Sequence, residues 1–172
     1  MKILVLNGSP RPEGNTSKLI EAYKEGAEEA GTEVTVYSVC SKHIAGCRGC
    51  EYCHTAGNGK CRLEDDMGEL LELLSESDML VLASPIYYFG LTAQLQAAIQ
   101  RTYAIGIPKK LRRSAMILSS GSDNIYGGAV YEYDHLVEYM KLESIGICTA
   151  YGSQNGSAEK LEEARGLGRR SA

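Results

Sequence analysis

The sequence predicts an α/β fold, a three-layer sandwich around a five-stranded parallel sheet in the order 2-1-3-4-5. Three observations predict it. Short aliphatic runs alternate with helical patterns along all 172 residues. The runs Ile3-Leu4-Val5-Leu6 and Leu80-Val81-Leu82-Ala83 are continuously apolar, as in strands covered on both faces. Alternating strands and helices give a parallel sheet, and at this length that strand order leads.

The candidate strands are Lys2–Leu6, Glu33–Val39, Met79–Ser84, Ala115–Ser119 and Ser144–Ala150. The first helix carries Leu19, Ile20, Tyr23 and Ala27 on one face. The second carries Met67, Leu70, Leu71 and Leu74, and Asp65-Asp66 with Glu69 suit its positive end. Leu95, Ala98, Ile99 and Thr102 mark a third helix, and Ala129, Val130, Tyr133, Leu136, Val137 and Met140 a fourth. A polar fifth helix is expected from about Ser157 to Gly166. The whole chain, 1–172, reads as one domain with a cysteine-rich loop at about 40–64, where neither period holds.

Composition narrows the class. Hydrophobic residues make up 44%, charged residues 23%, and the net charge is −4, so no basic footprint for nucleic acid exists. No apolar run reaches the roughly 20 residues of a membrane span. The apolar stretch after Lys2 ends at Asn7, too short for a signal peptide. A cytoplasmic protein is expected. Six cysteines are then unusual, because reducing conditions open most disulfides.

Four segments carry chemistry. The stretch from Gly8 to Ser17 joins the first strand to the first helix, where backbone N–H groups and the helix dipole attract anions. Ser9, Asn15, Thr16 and Ser17 add donors and Arg11 adds charge. Neither a Walker loop nor a dinucleotide fingerprint is present, so this is a phosphate loop of another kind; a polar turn with side-chain caps is its plainer reading. Pro85, Ile86, Tyr87, Tyr88 and Phe89 follow the third strand, beside that loop, and suit a planar headgroup. Ser120, Gly121 and Asp123 follow the fourth strand at the same sheet edge.

The fourth segment is Cys47-x-x-Cys50-x-x-Cys53, with Cys61 beyond it. This compact pattern suits an iron–sulfur cluster. A zinc site with His54 as a spare ligand, and free redox or unreactive thiols, are the other readings. Cys40 and Cys148 read as core residues. The basic run Lys109 to Arg113 reads as a solvated turn. No acid–base or metal-spaced histidine set is visible.

Gly8-Ser9-Pro10-Arg11 with Gly14-Asn15-Thr16-Ser17, the cysteine loop, Asp65-Asp66-Met67 and Ser84-Pro85-Ile86-Tyr87-Tyr88-Phe89-Gly90 together resemble the flavodoxin-like NADPH-dependent FMN reductase superfamily. The resemblance is nearest to its iron–sulfur flavoproteins and NAD(P)H-dependent oxidoreductases, and spans roughly Met1 to Arg101. It implies an FMN-dependent oxidoreductase with the FMN phosphate in the Ser9–Ser17 loop, Pro85 to Phe89 on the isoalloxazine and Ser120 to Asp123 at its edge. It also implies NAD(P)H as hydride donor, an electron acceptor, and a homodimer or homotetramer. A 4Fe–4S cluster would sit on Cys47, Cys50, Cys53 and Cys61. Relatives often carry a lysine in the third helix and Asp-Arg at its end; here Gln96 and Gln100-Arg101 stand there. A flavodoxin-like electron carrier and a zinc-binding sensor domain are the competing functions.

Overall fold

The computed structural model describes residues 1–172. A five-stranded, wholly parallel sheet runs in the order β2-β1-β3-β4-β5. The strands are β1 (Lys2–Asn7), β2 (Glu33–Ser38), β3 (Met79–Pro85), β4 (Arg113–Ser120) and β5 (Glu143–Tyr151). The helices are α1 (Asn15–Glu29), α2 (Met67–Glu76), α3 (Ala93–Arg101), α4 (Gly127–Met140) and α5 (Ala158–Arg170). The expected order and every expected element are present. β4 starts two residues earlier than the apolar run indicates, because Arg113 pairs with Met79 despite its charge. α5 runs four residues beyond Gly166.

Strand alternation splits the apolar runs between two cores. Leu4, Leu6, Leu80, Leu82, Met116 and Leu118 face α2, α3 and α4. Ile3, Val5, Val81, Ala115 and Ile117 face α1 and α5, where Leu19, Ile20 and Tyr23 complete the layer. Cys148 lies in this second core, and burial pushes its thiol pKa up to about 12. Cys40 departs from expectation. It sits on a short 3-10 turn after β2, half-buried, and its thiol donates to the Gly8 carbonyl at 3.2 Å.

α1 and α5 cross at unusually close range. A Cβ on Gly26 would stand 2.0 Å from the Arg165 carbonyl oxygen, and one on Gly168 would stand 2.0 Å from that of Tyr23. No helix is long and apolar enough to cross a membrane.

Residues 40–64 hold only two short 3-10 turns, Val39–Ser41 overlapping the start and Tyr52–His54 inside. The ends of this loop are tied together. His43 N–H donates to Asp66 at 2.6 Å, and Asp66 N–H donates back to the His43 carbonyl. Ala45 N–H donates to Asp65 at 3.1 Å, and Arg101 donates to the Ala45 carbonyl at 2.8 Å. Asp65 and Asp66 were expected to serve the start of α2. Asp65 does accept from Met67 N–H, but Asp66 makes no cap bond, and both carboxylates mainly close the loop. Sequence spacing does not reveal this, because the partners lie about twenty residues upstream.

Candidate active site

The carboxyl edges of β1, β3 and β4 border one cleft of about 280 Å3. It lies between β1 and β3, where connections depart to opposite faces of the sheet and ligands bind in such folds. Its lining brings together Ser9, Arg11, Asn15, Thr16, Pro85, Ile86, Tyr87, Ser120 and Gly121 from the predicted set. Ser17, Tyr88, Phe89 and Asp123 do not line it. Ser17 turns its hydroxyl back to the Arg11 carbonyl, at 3.1 Å. Asp123 is exposed and accepts from its neighbour Asn124.

The phosphate loop is prepared for an anion. α1 begins after Gly14, and no side chain caps it. The first intrahelical donor is Lys18 N–H to the Gly14 carbonyl, so the N–H groups of Asn15, Thr16 and Ser17 have no protein acceptor. The side-chain-capped turn is therefore not what forms. Ser9 is buried; its N–H is held by Asn7, and its hydroxyl lies 3.2 Å from both the N–H and the carbonyl of Arg11. Thr16 and Ser119 share a buried hydroxyl contact of 2.7 Å that joins the loop to β4. Uncapped donors and the positive helix end fit a phosphate.

Ser119, the first residue of the polar segment at the end of β4, lines it too, and two lining residues escape the sequence reading: Gly152 and Asn155. Asn155 follows β5 and donates to the carbonyls of Ser120 at 2.7 Å and Gly152 at 3.1 Å. Its Oδ1 is buried without a donor. An unmatched acceptor beside the cleft fits a ligand N–H or O–H. The signal in the sequence is slight, since one polar residue after a strand is common.

Tyr87 and Gly90 exchange both backbone hydrogen bonds, at 3.0 and 3.2 Å, closing a two-residue turn. Its central residues, Tyr88 and Phe89, have φ of 52° and 70°, where bulky side chains are strained. Tyr88 is 99% exposed. The aromatics therefore project past the mouth of the cleft instead of forming its wall. Phe89→Gly is expected to relieve strain and stabilise the protein by about 1 kcal/mol in urea unfolding. An unchanged or lowered midpoint would contradict a strained turn.

Cys47, Cys50, Cys53 and Cys61 line a second cavity of about 300 Å3, with Tyr103 and two arginines. The sequence-predicted thiols are thus brought together. No three His, Cys, Asp or Glu side chains converge as ligands of a single ion. Four cysteine sulfurs on one cavity are the donor chemistry that an iron–sulfur cluster uses. His54, the spare zinc ligand, is not among the lining residues, and its Nε2 pairs with the Tyr103 carbonyl at 2.8 Å. Burial raises the Cys53 thiol pKa most, against two backbone N–H groups that lower it.

Arg101 and Asp65 form a buried fork, with side chains 2% and 4% exposed and both nitrogens at 2.8 and 2.9 Å from the carboxylate. It fastens the cysteine loop to the end of α3. Arg101 thus ties α3 back to the loop, while Gln96 bonds Glu132 of α4.

A parallel sheet in this order, with an open anion seat at its switch point, defines a flavodoxin-like α/β protein. The NADPH-dependent FMN reductase family model matches residues 1–165, and the chain belongs to that family of FMN-dependent oxidoreductases. An iron–sulfur flavoprotein of Archaeoglobus fulgidus is 34% identical, over 98% of this chain and 77% of that protein. One of Methanocaldococcus jannaschii is 38% identical, over 65% of this chain and 57% of that protein. Among solved structures, RosB with a bound 8-demethyl-8-formylriboflavin-5'-phosphate superposes with a TM-score of 0.81 at 17% identity, covering 99% of this chain and 78% of that one. An NAD(P)H:quinone oxidoreductase from Methanothermobacter marburgensis gives 0.72 at 18%, covering 99% and 96%.

Proposed function

We propose that this chain holds FMN in the cleft, takes electrons from NAD(P)H and passes them to a quinone, another small molecule or a protein. A 4Fe–4S cluster on Cys47, Cys50, Cys53 and Cys61 would serve as a relay. The observation that carries the reading is the uncapped start of α1 at the switch point, with three N–H groups lacking acceptors. Those groups receive the phosphate, and Arg11 adds an exposed positive charge. Pro85, Ile86 and Tyr87 supply a flat wall for the ring, and Ser120 and Gly121 leave room at its edge. FMN, when bound, supplies hydride acceptance and one-electron release. The lining residues include no carboxylate and no histidine, so the protein's part is to bind, orient and shield.

The four thiols around one cavity, and the iron–sulfur flavoprotein relatives, support the cluster. Exposed Tyr88, Phe89, Tyr131 and Tyr139 supply aromatic surface for a homodimer or homotetramer. Six free cysteines suit a reducing compartment, and we place the protein in the cytoplasm.

FMN titration, followed by flavin fluorescence, tests the phosphate seat. Gly14→Asp puts a carboxylate on the α1 amino end, where it takes the orphan donors and repels phosphate. A Cβ there has its nearest contact at 3.0 Å, to the Arg11 side chain, so the loop must yield slightly. We expect FMN affinity at least tenfold weaker, about 1.4 kcal/mol, with the melting temperature of the apoprotein nearly unchanged. Unaltered affinity would place the phosphate elsewhere. Steady-state oxidation of NAD(P)H with a quinone separates an enzyme from a carrier: FMN binding without turnover would select the carrier.

A further inference from the structure

We propose that Asn155 and Ser119 read the hydroxyl groups of the FMN ribityl chain, so that the cleft selects a polyol linker as well as a phosphate and a ring. The proposal rests on the FMN reading above.

Ser119 stands between the two ends of the cleft. Its hydroxyl contacts Thr16 of the phosphate loop at 2.7 Å, and its carbonyl accepts from Ile86 N–H of the ring wall at 2.8 Å. A ligand that reaches from the phosphate seat to the ring wall passes this residue. Asn155 lines the same cleft and is tied to the same strand end through the Ser120 carbonyl, at 2.7 Å. The residue after it lies against α1: a Cβ on Gly156 would stand 3.6 Å from the Lys18 side chain. The two side chains thus flank the linker between phosphate and ring.

Both residues hold unspent hydrogen-bonding capacity. Asn155 Nδ2 donates to the carbonyls of Ser120 and Gly152, so the amide cannot be turned over and Oδ1 is fixed as the acceptor end. That oxygen is buried without a donor. Asn155 closes the largely exposed 3-10 turn Gly152–Gln154 through a long N–H bond of 3.3 Å, so a small shift of this turn presents Oδ1 to the cleft. Thr16 and Ser119 are 1% and 3% exposed, and their hydroxyls share a single hydrogen bond. One proton of that pair therefore has no acceptor in the protein. A buried acceptor and a buried donor left over on one wall are costly unless a ligand completes both. Hydroxyl groups do so, because each donates and accepts. A phosphate offers no proton to Oδ1, and a bare alkyl chain completes neither group.

The test titrates the full-length apoprotein, by flavin fluorescence, with FMN and with an analogue in which the same ring and phosphate are joined by a plain pentyl chain. Wild type should bind FMN about tenfold more tightly than the analogue. Asn155→Ala and Ser119→Ala should each weaken FMN about tenfold while changing the analogue by less than about twofold. Equal affinity of the wild type for both ligands overturns this proposal, and that comparison needs no variant to fold. Equal weakening of both ligands by Asn155→Ala also overturns it, because a merely structural hold on Ser120 and Gly152 would act on any flavin. In both cases FMN binding by the wild type leaves the FMN reading intact. Failure of the wild-type chain to bind FMN overturns that reading, and this proposal with it.

Discussion

Gly168→Ala is expected to destabilise the protein by about 3 kcal/mol, and Gly26→Ala by a similar amount. The direction is informative, because replacing a mid-helix glycine by alanine ordinarily favours the helix by nearly 1 kcal/mol. Here the new methyl would stand 2.0 Å from a backbone carbonyl of the opposing helix in each case. A carbonyl cannot rotate away as a side chain can, so α1 and α5 must separate. Separation exposes Leu19, Tyr23, Ala164 and Leu167, which are all but fully buried. Gly166→Ala is the control in the same helix. Its nearest contact is the flexible end of Arg170, at 3.6 Å, and it should stabilise by up to about 1 kcal/mol. Urea unfolding at constant m-value reads all three. Opposite signs at 166 and 168 are required; matching signs would refute the close crossing. Because α1 also carries the phosphate seat, Gly26→Ala should weaken FMN binding as well.

The second large effect is at the buried ion pair. Arg101→Met should cost about 3–5 kcal/mol, since it leaves the Asp65 carboxylate buried without its cation. Asp65→Asn with Arg101→Met should recover most of that loss, because the amide oxygen can still accept from Ala45 and Met67. The pair also predicts a pH dependence. Burial pushes the Asp65 pKa up, but the Arg101 hydrogen bond, the N–H groups of Ala45 and Met67 and the Arg101 charge outweigh it, and the net shift is downward. A carboxyl whose folded pKa is depressed contributes stability above its unfolded value, about 3.9, and loses it as pH falls through the folded value. The stability gap between wild type and Asp65→Asn should therefore hold from pH 8 to 5 and shrink below pH 4. A gap that persists at pH 2 would mean the carboxylate is not held charged by Arg101.

Part of the site was legible because its donors are local in the chain. Ser9 to Thr16 form one continuous turn at a strand end, so their meeting requires only the strand–helix order. Cys47, Cys50 and Cys53 lie within one loop, and their common cavity follows from spacing that short. The exposure of Tyr88 and Phe89 is not legible in residue type, for a local reason of another kind. Residue type announces a planar surface, but the backbone at Tyr88 and Phe89 takes a left-handed turn that aims them outward.

The sequence by itself determined the sheet, its strand order and the position of both candidate sites, because apolar periodicity and loop chemistry are properties of neighbouring residues. Only the tertiary structure decided what completes them. Asn155 reaches the cleft from beyond β5, and Arg101 closes on Asp65 and the cysteine loop across 36 residues. Gly26 of α1 meets Arg165, and Gly168 of α5 meets Tyr23, across 139 and 145 residues. Such pairings depend on how layers pack, and no spacing rule along the chain encodes the direction from which a distant side chain arrives.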